Sequence, residues 1–264
     1  MPKKLLFLLA MPRSGNTLLA SLLNQNSKMA CTGKSLVPFI IENLLSLKKI
    51  DVFENFPDHK SLDNVIENVF NNYYNKWPQS IIIDRSPLMC QNYFLAIQKY
   101  LKHPFKCIVL LRDVMDILAS YMKWYTENPD AFVNHSFTVD NGKAIKTDED
   151  KLNMLMNNQG DILRELDSIK TSAKYPDICH YVKYNDLVAN PEKELKAIYK
   201  FIEEPYYPHS FKDLQQINLN GISYNDSIVG KNMHRIRSVV RKEYNPYIEK
   251  IPERIKEKYG HIKF

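Results

Sequence analysis

Three arginines in this chain stand where a strand-like run ends. Arg13 follows LLFLLAMP, Arg85 closes SIIID and Arg112 closes CIVLL. The basic residues divide into 28 lysines and 8 arginines. In a chain that defaults to lysine, an arginine brings a planar fork suited to bidentate contact with phosphate or sulfate. Around the first, residues 12–19 read PRSGNTLL. Gly15 lets the backbone turn tightly after a buried strand, and the following helix offers unpaired N–H groups and a positive dipole end to an anion. Arg13 adds a mobile charge, and Ser14, Asn16 and Thr17 add donors. A plain strand-to-helix turn with a capping serine has the same outline, so this stretch alone does not name its ligand.

A nucleoside triphosphate loop requires GxxxxGK[ST]. No lysine follows Gly15. The one Gly-Lys-Ser in the chain, Gly33-Lys34-Ser35, has Lys28 where the first glycine is needed, so an ATP-type loop is disfavoured.

The elements that must hold these residues follow from hydrophobic spacing. Residues 4–11 read as a buried strand, and the apolar positions 18, 19, 22 and 23 continue as a helix. Helices are expected over 37–47 and 62–74, the second from Leu62, Val65, Ile66, Val69 and Phe70 recurring at three and four. SIIIDRSP and CIVLLRD are short buried strands, and a helix is expected over 114–125. Residues 126–147, with Pro129, Asn141 and Gly142, read as a loop, 148–170 as a helix and 180–187 as a strand. Pro191 opens a helix reaching about residue 202. Strands alternating with helices predict one α/β domain over 1–264, three layers deep, with a mostly parallel central sheet. Helical segments around 34–75 and 126–175 would build the acceptor side. Ligands of such sheets gather at the carboxyl ends of the strands, so the turns after Met11, Ile83, Leu111 and Tyr184 should share one edge.

Composition bounds the classes. Hydrophobic residues make 44% and charged residues 25% of 264, and no apolar run approaches the roughly 18 residues of a membrane span. The opening lysines and apolar run read as a first strand rather than a secretory signal, since no small-x-small site follows. Cys31, Cys90, Cys107 and Cys179 lie far apart without a CxxC pair, which suggests neither zinc nor a disulfide framework and fits a reducing cytoplasm. The sequons at Asn134 and Asn225 then carry no meaning. A net charge of +6 suits an anionic ligand.

Taken together, the motifs resemble a known family. PRSGNTLL is similar to the 5′-phosphosulfate loop of sulfotransferases that use 3′-phosphoadenosine 5′-phosphosulfate (PAPS), written PRSGTTLL. CIVLLRDVMDILASY is similar to the family's 3′-phosphate motif, a strand ending in Arg-Asp and a helix with serine eight residues after the arginine. YVKYNDLVANPEKELKAIYKFI resembles the later family segment VRYEDLVxxPxxxLxxLxxFL. The three run in the family's order from Leu5 to Ile202, nearer the tyrosylprotein and carbohydrate branch than the cytosolic aryl branch, whose RKGxxG segment is absent. The resemblance implies a P-loop-like fold and PAPS as donor, with no metal. Ser14, Gly15, Asn16, Thr17 and Leu18 would hold the 5′-phosphosulfate, with Arg13 on the sulfuryl oxygens. Arg112 and Ser120 would bind the 3′-phosphate, and Tyr184 would lie against the adenine. Each has a plainer alternative: Arg112 paired with Asp116, Ser120 a small helical residue, Tyr184 a strand aromatic.

Arg85 stands where the family writes a lysine in DKSP or NKDP. A guanidinium keeps its proton, so it can stabilise charge on the leaving phosphate but not protonate it; the alternative is an ion pair with Asp84. The C-terminal run 229–244 clusters Lys231, His234, Arg235, Arg237, Arg241 and Lys242. Lys231, Arg235 and Arg237 are candidates for a second grip on the 3′-phosphate, and a solvated basic face is the rival. No nucleic-acid module accompanies this run. The general base is open: the protein-tyrosine branch has a glutamate where this chain has Cys31-Thr32-Gly33-Lys34-Ser35, and Glu42, His59 and His135 are candidates from elsewhere. Rival functions are a small-molecule kinase and a non-catalytic binder of 3′-phosphorylated nucleotides. The acceptor and the oligomeric state stay open.

Overall fold

Seven residues, KLLFLLA, form the strand around which the rest is arranged: β1 (Lys4–Ala10) is buried from Leu6 onward. The structure is a computed structural model and describes residues 3–85, 91–101, 104–129, 139–140, 143–144, 147–157 and 160–264. From β1 the chain enters α1 (Asn16–Leu23), β2 (Met29–Cys31), α2 (Val37–Ser46), α3 (Asp51–Asn55), α4 (His59–Asn72) and β3 (Ile81–Arg85). It continues through α5 (Gln91–Tyr100), β4 (Lys106–Leu111), α6 (Val114–Glu127) and a short antiparallel pair, β5 (Val139–Asp140) and β6 (Lys143–Ala144). Then come α7 (Asp148–Leu155), α8 (Asp161–Ser172), β7 (Cys179–Lys183), α9 (Tyr184–Ala189), α10 (Pro191–Phe201), a second antiparallel pair, β8 (Asn218–Leu219) and β9 (Ile222–Ser223), and α11 (Glu253–Tyr259).

Five strands form a wholly parallel sheet in the order β2-β3-β1-β4-β7. Parallel strands covered by helices on both faces need continuous apolar runs, and β3 and β4 supply them as IIIDR and KCIVLL, buried almost throughout. β1 lies at the centre with β3 and β4 on either side, so the loops leaving β1, β3 and β4 open on one sheet edge, where open α/β sheets bind ligands.

The expected elements recur with local differences. α4 starts three residues early because Asp58 caps it, its side chain accepting from the Ser61 N–H. Within the stretch expected as one helix from 148, a capping box between Thr147 and Asp150 starts α7, and α8 begins separately after Gly160. The strand expected over 180–187 ends at Lys183, and Tyr184 opens α9 instead. Within 126–147, the pair β5 and β6 stands where a loop was expected.

The chain beyond α10 is largely irregular and returns across the sheet edge. The amide of Val240 donates to the Phe211 carbonyl and that of Leu214 to the Ser238 carbonyl, so residues 211–214 and 238–240 tie this segment together. No helix among the described residues is long and apolar enough to cross a membrane.

Candidate active site

Between β1 and α1 the backbone passes twice through the left-handed region, with φ of 62° at Arg13 and 100° at Gly15. That conformation is easy for glycine and costly for arginine. Ser14 Oγ lies 2.6 Å from the Met11 carbonyl and 2.8 Å from Asn16 Oδ1, its one hydrogen serving either acceptor, and Asn16 Nδ2 donates to the same carbonyl at 3.3 Å. Both side chains are buried and brace the loop; the Ser14 N–H also turns back to the Met11 carbonyl, at 3.3 Å, so of the two it is Asn16 that presents its backbone N–H to an anion. In α1 the amide of Leu19 bonds back to the Gly15 carbonyl. Those of Asn16, Thr17 and Leu18 precede it and form the open N-terminus of the helix.

On one side of this loop the β4–α6 junction gathers cations. Arg112 donates from Nη1 to the Arg13 carbonyl at 2.7 Å, and its guanidinium lies 4.2 Å from the ring centroid of Tyr184. Its Nε is buried without a hydrogen-bond partner, 4.0 Å from Asp116 Oδ2. Arg13 donates from Nε to Ser120 Oγ at 3.0 Å and from Nη1 to the Met233 carbonyl at 2.5 Å. Burial lowers the pKa of both guanidinium groups, and a neighbouring cation acts in the same direction on each, Arg112 on Arg13 and Arg237 on Arg112. Desolvated like charges held this close favour an anion between them. Tyr184 packs so tightly on the loop that a Cβ on Gly15 would lie 2.5 Å from its Cδ2.

On the other side stands Arg85, at the carboxyl end of β3 and 4% exposed. It donates from Nη1 to the Tyr224 hydroxyl at 2.8 Å and to Thr17 Oγ1 at 3.4 Å, and its Nε has no partner. Consecutive strand residues point to opposite faces, and Asp84 accordingly looks elsewhere: its Oδ2 accepts from Ser35 Oγ at 2.7 Å and from the Tyr74 hydroxyl at 2.6 Å. The pairing of Arg85 with Asp84 weighed from the sequence is therefore not what holds Arg85. Burial raises the Asp84 carboxyl to about 6, against the two hydrogen bonds it accepts.

A cleft of about 1010 Å³ joins the two sides, with Arg13, Gly15, Thr17, Arg85, Arg112 and Ser120 in its walls and residues drawn from 229–246 closing it opposite.

The chain as a whole has counterparts among known proteins. The model of the sulfotransferase family matches residues 6–208, most of the chain. The chain belongs to the sulfotransferase family. Among solved structures it is similar to the sulfotransferase domain from the curacin biosynthetic pathway, at 17% identity and a TM-score of 0.55, covering 100% of this chain and 92% of that one. It is also similar to the sulfotransferase domain of the Synechococcus PCC 7002 olefin synthase, at 15% and 0.53, covering 98% and 95%. A sulfotransferase from Alicyclobacillus acidocaldarius matches at 10% and 0.52, covering 98% and 92%. At these identities the likeness is one of fold. No curated protein matches the chain in sequence.

As a sulfotransferase the protein moves a sulfuryl group, and the donor its family implies is PAPS. Of the late basic residues, Arg235 and Arg237 line the cleft and Lys231 does not. Lys231 is exposed, its backbone exchanging hydrogen bonds with the Asn128 side chain at 2.7 and 3.2 Å. Arg237 pairs with Glu243 at 2.7 Å. Glu42 and His59 lie on α2 and α4, outside the lining of this cleft, and His135 falls outside the described residues. No motif assigns a role to three further residues, of which Lys34 and His234 line the cleft and Tyr224 contacts Arg85. Lys34 lines the wall near Gly33. Tyr224 joins the Arg85 side to the C-terminal segment, its hydroxyl also donating to the Gly33 carbonyl at 2.5 Å. His234 stacks on the Tyr224 ring, with centroids 3.8 Å apart. No periodicity or motif marks Tyr224, and in the sequence His234 stands only as part of a basic run.

Proposed function

We propose that the cleft binds PAPS with its 3′-phosphate at the Arg112–Ser120 side and its 5′-phosphosulfate across the α1 N-terminus, and transfers the sulfuryl group to a hydroxyl or amine acceptor. The division of the cleft into two cationic sides about the Gly15 turn carries this reading. Arg112 and Arg85 both line the cleft, one on each side. A ligand with an anionic group at each end pairs with both.

Roles follow from position. The N–H groups of Gly15, Asn16, Thr17 and Leu18 hold the 5′-phosphosulfate. Arg13 would reach the sulfuryl oxygens on the family's pattern, but its hydrogen bond to Ser120 favours the 3′-phosphate, so we assign it there with Arg112 and Arg237. Arg85 is then the catalytic cation. Fixed beside Thr17, it stabilises charge growing on the 5′-phosphate oxygen as the sulfur–oxygen bond breaks. A sulfuryl group carries one negative charge less than a phosphoryl group, so fixed cations and N–H dipoles suffice without a metal. Tyr184 keeps its place beside the nucleotide, Arg235 lines the entrance, and Lys231 acts through the backbone that places this segment. Buried thiols at Cys31, Cys107 and Cys179 suit the cytoplasm.

Incubation with sulfur-35-labelled PAPS and a mixture of phenols, sugars and primary amines tests the reading, with ATP and Mg²⁺ as control. Label transfer to any acceptor supports it. Phosphoryl transfer from ATP favours a kinase, and PAPS binding without turnover favours a non-catalytic binder.

A further inference from the structure

The cleft holds a histidine–carboxylate pair that no motif announced. His234 Nδ1 lies 2.6 Å from Asp226 Oδ1, and the His234 backbone N–H donates to Asp226 Oδ2 at 3.0 Å. The same carboxylate thus fixes both the ring and the backbone of one residue. From the other direction Arg13 grips the Met233 carbonyl, which pins the preceding peptide. The imidazole lies flat on the Tyr224 ring, 3.8 Å between centroids and 3° from parallel. Tyr224 in turn is hydrogen-bonded to Arg85. His234 is therefore oriented on three sides and lines the cleft beside the residue assigned to the transferring group.

We infer that His234, oriented by Asp226, is the general base that accepts the proton of the acceptor in sulfuryl transfer. A carboxylate can only accept, so Nδ1 carries the proton and Nε2 keeps its lone pair for the cleft. The step balances. As the acceptor oxygen bonds to sulfur, the bond from sulfur to the 5′-phosphate oxygen breaks and leaves its electron pair on that oxygen, which Arg85 stabilises. Nε2 takes the acceptor's proton, Asp226 stabilises the resulting imidazolium, and the proton then passes to water. An amine acceptor loses its proton in the same way.

The groups facing the imidazole are Asp226, Arg13, Arg85 and the Tyr224 ring. Burial lowers the His234 pKa, Arg85 and Arg13 act in the same direction, and Asp226 opposes them. A base poised below the ordinary histidine value is unprotonated at neutral pH, as this role requires. The assignment also explains why Cys31–Ser35 can lack a carboxylate: the base comes from the C-terminal segment on the far wall.

This inference rests on the PAPS reading above, and the experiment separates the two. The acceptor giving the fastest label transfer from PAPS is used; if none transfers, release of 3′,5′-phosphoadenosine (PAP) with water as acceptor is followed instead. His234→Ala and His234→Gln should lower kcat by about 10² to 10⁴-fold while PAP affinity, read by calorimetry, stays within about threefold of the wild type. Added imidazole should restore part of the His234→Ala rate. In the wild type the acidic limb of kcat/KM should fall below about 6.5, the usual histidine value, and Asp226→Asn should move it lower and reduce kcat. Nitrogen-15 NMR of the PAP-free protein at neutral pH should show His234 protonated at Nδ1 alone. Unchanged kcat in both His234 variants, loss of PAP binding in parallel with activity, or an Nε2–H tautomer at neutral pH would overturn the base assignment alone. A wild-type protein that neither binds PAP nor consumes PAPS would overturn both readings.

Discussion

The Arg13 guanidinium donates to Ser120 Oγ across 107 residues of sequence, at 3.0 Å. The first turn of the protein and the helix after β4 are thus joined through a side chain, at the place where the nucleotide's 3′-phosphate is assigned. Arg85, from the neighbouring strand, is bound to Thr17 and Tyr224 instead.

From this separation, two arginine variants should fail in different ways. Arg13→Ala should weaken PAP binding by roughly 1.5–3 kcal/mol, the size of a lost charge-assisted hydrogen bond, with a smaller change in kcat. Arg85→Ala should keep PAP affinity and lower kcat by about 10² to 10³-fold, as loss of a transition-state charge stabiliser does. Calorimetry and PAPS turnover measured on both variants decide it, and the reverse pattern would return the sulfuryl group to Arg13.

Gly15→Ala should damage both the fold and the site. The substituted Cβ would press on the Tyr184 ring at 2.5 Å, and φ of 100° disfavours any side chain. The expected cost is about 1–3 kcal/mol, read by urea unfolding, and PAP affinity should fall with the displaced Tyr184. A variant of wild-type stability would mean that the turn tolerates a side chain and that the ring moves freely.

Asp84 makes stability depend on pH. An aspartate titrates near 3.9 in the unfolded chain, whereas burial raises this one to about 6 in the fold. Between those values the folded state binds more protons, so its contribution is lost as pH rises through the window. Above pH 6 the cost is on the order of 3 kcal/mol. Asp84→Asn cannot ionise, so urea unfolding at pH 4.5 and 7.5 should show the variant gaining stability relative to the wild type at the higher pH. A difference independent of pH would mean that Asp84 titrates normally.

What the sequence revealed and what it hid divide along a physical line. Strand-turn-helix runs write their residues in order, so PRSGNTLL and the Arg112-to-Ser120 spacing could be read directly, as could the buried strands from their apolar runs. Long-range pairings leave no such trace. Cys107 and Cys179 are 72 residues apart yet are register partners on β4 and β7. Asp226 and His234 lie in a segment with neither helical nor strand spacing, so their pairing shows only once the backbone is placed. The strand expected over 180–187 takes in Tyr184 because the alternation of YVKY continues through it, whereas the strand stops at Lys183 and α9 begins at Tyr184. The burial of Asp84 is likewise hidden, since a carboxylate at the end of SIIID reads as the polar edge of the strand until Ser35 and Tyr74 are placed against it.

The claim that the Arg112–Ser120 side holds a 3′-phosphate is tested most directly by comparing two ligands on two proteins. PAP and 5′-AMP differ only in that phosphate, and calorimetry on the wild type and Arg112→Ala gives the four affinities of a cycle. The wild type should prefer PAP by at least about tenfold, or roughly 1.4 kcal/mol, and Arg112→Ala should lose most of that preference. Equal preference for PAP in both proteins would contradict the assignment.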